Sequence, residues 1–186
     1  MNYENMINEL SKILEEFFSI RAHLFEEVII KTVERLRTGQ KVLIFGNGGS
    51  AAQAQHFAAE LVNKFLKERP PLRAISLTTD TSALTSIAND TSFDQVFSRQ
   101  IEALGEKGDI ALGLSTSGNS PNVIKAITIA KEKELLTVAF TGKGGGKLSS
   151  LPDYLLDVPS ESTPRVQEVH LFLLHLLAQE IEEKLN

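Results

Sequence analysis

The sequence contains no cysteine. That absence excludes a disulfide framework and any thiolate metal site, and it fits a reducing compartment. A long apolar run is also missing: nothing approaches the roughly 18 consecutive apolar residues that a membrane-spanning helix needs. The opening Met1-Asn2-Tyr3-Glu4 lacks the basic and apolar regions of an export signal, so the expectation is a cytoplasmic protein without membrane contact. Basic charge is in deficit, with 19 Lys and Arg against 24 Asp and Glu and a net charge of −5. With no long basic run to neutralise a phosphate backbone, nucleic acid is not an expected direct ligand. No segment ends in the Gly-Lys-Ser/Thr of a P-loop, and Gly46-Asn47-Gly48-Gly49 lacks the full dinucleotide spacing, which argues against NTP and NAD. Internal repeats, linkers and low-complexity segments are absent too.

What is present is enough for one core: 186 residues, 42% of them apolar. We expect a single domain over 1–186, made of an N-terminal helical extension (1–38) and an α/β core (40–186). In the extension, Leu10, Ile13, Leu14 and Phe17, then Leu24, Val28, Ile29, Val33 and Leu36, show helical spacing and predict two helices before the first strand. An apolar stripe outside an α/β core packs on the sheet or on a second subunit, which points to a homo-oligomer. Beyond Gly39 the pattern alternates. Strands are expected at 41–45, 73–77, 109–114, 136–140 and 154–158, with helices at 50–66, 82–89, 92–104, 121–133 and 163–184. Nearly all-apolar strands alternating with helices imply a parallel sheet covered on both faces.

In such a sheet ligands bind beyond the carboxyl ends of the strands, and the Gly/Ser/Thr/Asn-rich segments fall there. Gly46-Asn47-Gly48-Gly49-Ser50 leads from a strand into a helix; its glycines permit close ligand approach, and Ser50 is a candidate helix cap. His56 and Glu60 follow at a four-residue spacing that puts both on one side of that helix, as a base or as a metal-ligand pair. Ser115-Thr116-Ser117-Gly118-Asn119-Ser120 gathers hydroxyls ahead of a helix that Pro121 would start, a cradle of neutral donors for a phosphate. The same loop would also serve as a capped turn. Asp80 and Asp90 suit caps and turns as well as sugar hydroxyls, and Thr141–Gly146 reads as a structural turn. On the last helix, His175 lies among leucines, where histidine is commonly a satisfied core residue; periodicity pairs it with Glu168 rather than Gln167, and directs His170 elsewhere, to a supporting or surface position.

Taken together, Gly46–Ala52 with His56 and Glu60, Leu77-Thr78-Thr79-Asp80, Ile87-Ala88-Asn89-Asp90, Ser115–Ser120 and Thr163-Pro164-Arg165-Val166-Gln167-Glu168-Val169-His170 resemble the phosphoheptose isomerase family of the sugar isomerase (SIS) superfamily. The resemblance covers essentially the whole chain. It implies a three-layer α-β-α sandwich with a five-stranded parallel sheet, flavodoxin-like, and N-terminal helices used in oligomerisation. It further implies a homotetramer with active sites at subunit interfaces, converting sedoheptulose 7-phosphate to glycero-manno-heptose 7-phosphate on the way to bacterial heptose-containing glycans such as lipopolysaccharide cores. Carried over by position, it implies one zinc ion per subunit at His56, Glu60, Gln167 and His175, Glu60 as base and His175 as acid. Substrate contacts would come from Asn47, Gly48, Gly49, Glu60, Asn89, Asp90, Ser115, Thr116, Ser117, Ser120 and Gln167. Gln53 stands where such proteins often carry Asp, and Ala178 where Cys is common. A non-catalytic scaffold of the same fold that binds a replication-initiator protein would not need the His56, Glu60, Gln167 and His175 quartet. Isomerases or etherases of other phosphosugars usually carry additional domains, for which this chain has no room.

Overall fold

A computed structural model of the chain describes residues 3–185. Five short, largely apolar segments form one sheet: β1 (Val42–Gly46), β2 (Ala74–Ser76), β3 (Ile110–Ser115), β4 (Leu136–Thr141) and β5 (Tyr154–Asp157). All neighbouring pairs are parallel and the order is β2-β1-β3-β4-β5. β1, β3 and β4 are buried along their full length, which explains why they read as continuous apolar runs rather than alternating ones. Helices α1 (Tyr3–Arg37), α2 (Gly49–Val62) and α6 (Thr163–Leu185) cover one face, through a cluster that includes Phe17, Phe57, Phe140 and Leu177. Helices α3 (Thr81–Asp90), α4 (Ser98–Leu104) and α5 (Pro121–Glu132) cover the other, around Phe45, Phe97, Ile101 and Ile127. The result is the expected three-layer α-β-α sandwich. Among the described residues no helix is long and apolar enough to cross a membrane.

Three elements differ from the sequence expectation. The N-terminal extension is one unbroken helix of 35 residues, about 52 Å long, and not two. Ile13, Phe17, Phe25, Ile29 and Val33 are buried at spacings of four or eight, and the missing member of that row is Arg21. Arg21 Nε donates to Asp157 Oδ1 at 2.8 Å, so an ion pair fills the place where the apolar pattern breaks, and no glycine or proline interrupts the helix. The span 92–104 divides into a single 3₁₀ turn at Phe93–Gln95 and the shorter α4, because Val96 and Phe97 turn inward to the core between them. Helix α2 stops at Val62, four residues short of the expected end; the carbonyls of Glu60 and Leu61 are taken by the guanidinium of Arg69, and the amides of Phe65, Leu66 and Lys67 by the carboxylate of Glu182.

His170 is also corrected: it is fully buried on the core stripe of α6 that runs through Val166, Leu173, Leu177 and Ile181. Its Nε2 bonds the Thr141 carbonyl at 3.1 Å, at the end of β4, while Nδ1 has no partner. Burial pushes its pKa from 6.5 down to about 4, against the opposing effect of the Thr141 carbonyl, so the ring is neutral. The unfolded chain takes up a proton near pH 6.5 that the folded chain refuses until about pH 4. Stability from this group is complete above 6.5 and declines as pH falls towards 4. Between about pH 7.5 and about pH 5, urea unfolding of the parent should lose about 2 kcal/mol from this residue, and His170→Gln, which keeps a donor for Thr141 but does not titrate, should flatten that part of the slope.

Candidate active site

Doubly wound sheets open a crevice where the winding reverses, here between β1 and β3. The loops after these two strands meet there. In the first, Gly48 takes φ +55, a conformation few other residues adopt, and turns the chain straight into α2. Gly48 is therefore the residue that caps α2, without a side-chain bond. Ser50, the expected cap, is buried inside the first turn because the helix starts one residue ahead of it.

The second loop, 115–120, is braced by its own hydroxyls and by a glycine-rich turn. Ser115 Oγ and Ser120 Oγ are 3.0 Å apart, and Ser117 Oγ accepts from the Asn119 amide at 3.1 Å. Gly118, at φ +64, lies so close to the Gly144–Gly146 turn that a Cβ would stand 2.0 Å from the Gly145 carbonyl oxygen. Gly142 N donates to Thr116 O and Leu148 N to Gly118 O, so the 142–148 segment acts as the backing of the loop. Ser120 occupies the N-cap of α5 but spends its hydroxyl on Ser115, leaving that helix start without a side-chain cap. An anion is favoured at such an end by the free N–H groups and the helix dipole.

The two loops are tied together by a pair that sequence reasoning missed. Asn47 Nδ2 donates to Asn122 Oδ1 at 2.9 Å, and Asn122 Nδ2 donates back to Asn47 Oδ1 at 2.8 Å. Asn122 is buried and its Oδ1 also accepts from the Val123 amide. The side chain of Asn47 is thus committed to tying the two loops together.

On the next turns of α2, His56 Nε2 lies 3.4 Å from Glu60 Oε1, as the four-residue spacing predicts. His175 of α6 completes a line, its Nε2 2.8 Å from His56 Nε2. It is therefore no ordinary core histidine. Its ring faces Phe65, with centroids 5.5 Å apart and planes at 18°. Glu168, the partner that periodicity favoured for His175, is turned outward to pair with Arg165 at 3.1 Å. Gln167 lies against Gly49, where a Cβ would stand 2.7 Å from its Nε2, and its carbonyl accepts from Gln53 Nε2 at 2.7 Å. It stands two helical turns from His175, about 12 Å of helix rise.

Two imidazoles and a carboxylate are donor types that suit zinc. Among the described residues, however, no group of three or more His, Cys, Asp or Glu side chains is arranged to hold a metal ion. At the histidine pair, two zinc-bound nitrogens in a tetrahedral site would stand about 3.3 Å apart, whereas these are 2.8 Å apart. The donor chemistry fits, with a separation of about half an ångström required. Asn89 and Asp90 sit exposed at the end of α3, bonded to one another at 2.8 Å, and Asp80 is a helix cap, accepting from the Ala83 amide.

The SIS domain family matches residues 5–142. The chain is 54% identical over 169 residues to a phosphoheptose isomerase of Desulfovibrio desulfuricans, covering 91% of this chain and 80% of that one. It is 56% identical over 164 residues to a phosphoheptose isomerase of an Azoarcus species, covering 87% and 83%. The chain belongs to the phosphoheptose isomerase family. The solved structure of phosphoheptose isomerase GmhA from Neisseria gonorrhoeae superposes with a TM-score of 0.90 at 42% identity, covering 97% of each chain.

For this phosphoheptose isomerase family member the Asn47–Asn122 pair gives a direct prediction. Asn122→Leu, nearly isosteric, should cost about 1–3 kcal/mol in urea unfolding by stranding the Asn47 amide. It should also weaken binding of a phosphosugar in calorimetric titration, since both loops lose their common anchor.

Proposed function

We propose that this chain interconverts sedoheptulose 7-phosphate and D-glycero-D-manno-heptose 7-phosphate through an enediol. Family membership supports the reaction class, and the observation that carries the assignment to residues is the His56–His175 contact with Glu60 beside it, on a helix that starts at the β1–β3 crevice. In this reading Ser115, Thr116, Ser117 and Ser120 hold the phosphate through hydroxyls and the start of α5. Backbone at Asn47, Gly48 and Gly49 lies along the sugar, with Gln167, Asn89 and Asp90 available to its hydroxyls. Ketose–aldose exchange needs a base for the proton on the carbon beside the carbonyl, and an acid to carry a proton between the two oxygens. Glu60 is the base. His175, held by Phe65 on its face, carries the second proton.

We place zinc at His56, Glu60 and His175. Because Gln167 of the same chain is two turns away, the fourth donor is Gln167 of a neighbouring copy in a homotetramer. When bound, the metal would polarise the substrate carbonyl. The apolar groove between α1 and α6, lined by Phe18, Phe25, Ile29, Ile30 and Leu176 with a volume of about 420 Å³, supports assembly on that face. Exposed Phe172 and Ile20 lie on the same two helices. A cysteine-free biosynthetic isomerase is suited to the cytoplasm.

Turnover of sedoheptulose 7-phosphate, assayed with and without a chelator, tests the activity directly. Glu60→Gln should lower turnover by roughly 10²-fold or more while calorimetric binding of the phosphosugar is retained; near-normal turnover would remove Glu60 from the mechanism. Elemental analysis of the purified protein should find zinc near one equivalent per chain, and His56→Ala should lose it, a readout independent of activity.

A further inference from the structure

The chain between α2 and β2 is irregular, yet its polar groups are served by two side chains from the interior. Glu182, near the end of α6, accepts from the amides of Phe65, Leu66 and Lys67 at 2.7, 2.8 and 2.9 Å. Arg69 donates to the carbonyls of Glu60, Leu61 and Pro70, and its Nε lies 3.2 Å from Glu182 Oε1. The two side chains are 1% and 2% exposed. Burial alone would raise the carboxyl pKa of Glu182, but the three amides and the guanidinium hold it below the ordinary value, so it stays ionised. A buried ion pair is by itself weak evidence for stability, because desolvation cancels most of the attraction. What this one does is fix a segment that touches the candidate site twice.

The first touch is Phe65, whose amide Glu182 holds and whose ring stacks on His175 at 18°. The other contact of His175 is with His56, edge to face at 75°, with the nitrogens 2.8 Å apart. Phe65 therefore fixes the plane of the imidazole, and His56 fixes which nitrogen is presented. The second touch is Glu60, whose carbonyl is held by Arg69 only two residues before α2 ends, where a helix would otherwise fray. Glu182 lies seven residues beyond His175, on the same face of α6, so a single helix carries both the proton carrier and the group that fixes its support.

We infer that Phe65, anchored by the buried Glu182–Arg69 pair, is a positioning residue for the reaction, setting the plane of the His175 ring, while Arg69 of the same pair holds the end of the turn that carries Glu60. The inference rests on the reading of His175 as the proton carrier. Phe65 touches no reacting atom; it acts through His175.

The test compares Phe65→Leu, which keeps apolar bulk without a flat face, with Phe65→Tyr, which keeps the ring, and with His175→Ala as reference. Steady-state kinetics on sedoheptulose 7-phosphate are read beside NMR of histidine labelled at Cε1, where the sequence holds only four histidines. Phe65→Leu should lower kcat by about 10-fold with KM within about 2-fold. Its His175 Cε1–H resonance should move downfield as the ring-current shielding of the phenyl is lost. Phe65→Tyr should keep both parental values. Glu182→Gln, which keeps the acceptor shape but not the charge, should move the same resonance in the same direction. A Phe65→Leu protein with parental kcat, an unmoved resonance, or equal losses in the Leu and Tyr variants would overturn the inference. If His175→Ala keeps parental turnover, the reading of His175 falls; if it is inactive while Phe65→Leu is not, the positioning role alone falls.

Discussion

A parallel sheet wound in both directions must reverse once, and the glycine-rich and hydroxyl-rich loops of this molecule meet where that reversal falls. Between β1 and β3 the two following helices leave on opposite faces, so the loops that launch them diverge and leave a crevice. Divergence has a cost: two loops whose N-cap residues make no side-chain capping bond need something to hold them in register. The Asn47–Asn122 pair meets that need, with two hydrogen bonds between residues 75 positions apart. A pair of this kind is neutral and directional, so it ties the loops together without adding a charge between them.

The second organising contact is the parallel packing of α2 on α6, which meets at three levels. At the crevice end, Gly49 makes room for the Gln167 carboxamide. In the middle, His56 meets His175. At the far end, Phe65 and the two residues after it hang on Glu182. The absence of a side chain at Gly49 and the charge at Glu182 are thus two parts of one arrangement, since the helices could not run this close at one end or end this sharply at the other without them.

How much of this is legible in the sequence follows from how local each signal is. The strands, the glycine turn at 46–49 and the hydroxyl loop at 115–120 are written in short-range pattern, and all five strands lie where the apolar runs put them. The His56–Glu60 adjacency follows from helix geometry alone. What was not legible depends on partners far away in the chain. Arg21 broke an apolar stripe on paper but completes it in space by reaching Asp157. His170 reads as polar and therefore peripheral, yet a single carbonyl, that of Thr141, is enough to let it sit in the core as a neutral ring. Asn122, Phe65, Arg69 and Glu182 gave no signal, because an Asn at a helix start, a Phe after a helix and a Glu in a terminal turn have ordinary reasons to be there. Only contacts across 75 to 117 positions give them another. The resemblance named Gln167 where periodicity named Glu168; in the structure Glu168 is spent on Arg165 and Gln167 lies against Gly49.

The two ends of the α2–α6 contact each leave one buried polar atom without a hydrogen bond, Arg69 Nε at the far end and Gln53 Oε1 at the crevice, but they differ in how many bonds hold the rest. Around Glu182 the carboxylate takes three amides and lies beside a guanidinium that is itself engaged with backbone carbonyls. Such a network has few alternative arrangements, so it resists movement. Around Gly49, by contrast, Gln53 gives its Nε2 to the Gln167 carbonyl while its buried Oε1 has no partner. An acceptor left open beside a carboxamide can be repaired by a small rotation, by water or by a hydroxyl, at little cost to the backbone. A sugar chain varies most along its hydroxyls and least at the carbons that react. The more densely bonded end of the contact lies next to His175 and Glu60, and the more sparsely bonded end lies at the β1–β3 crevice.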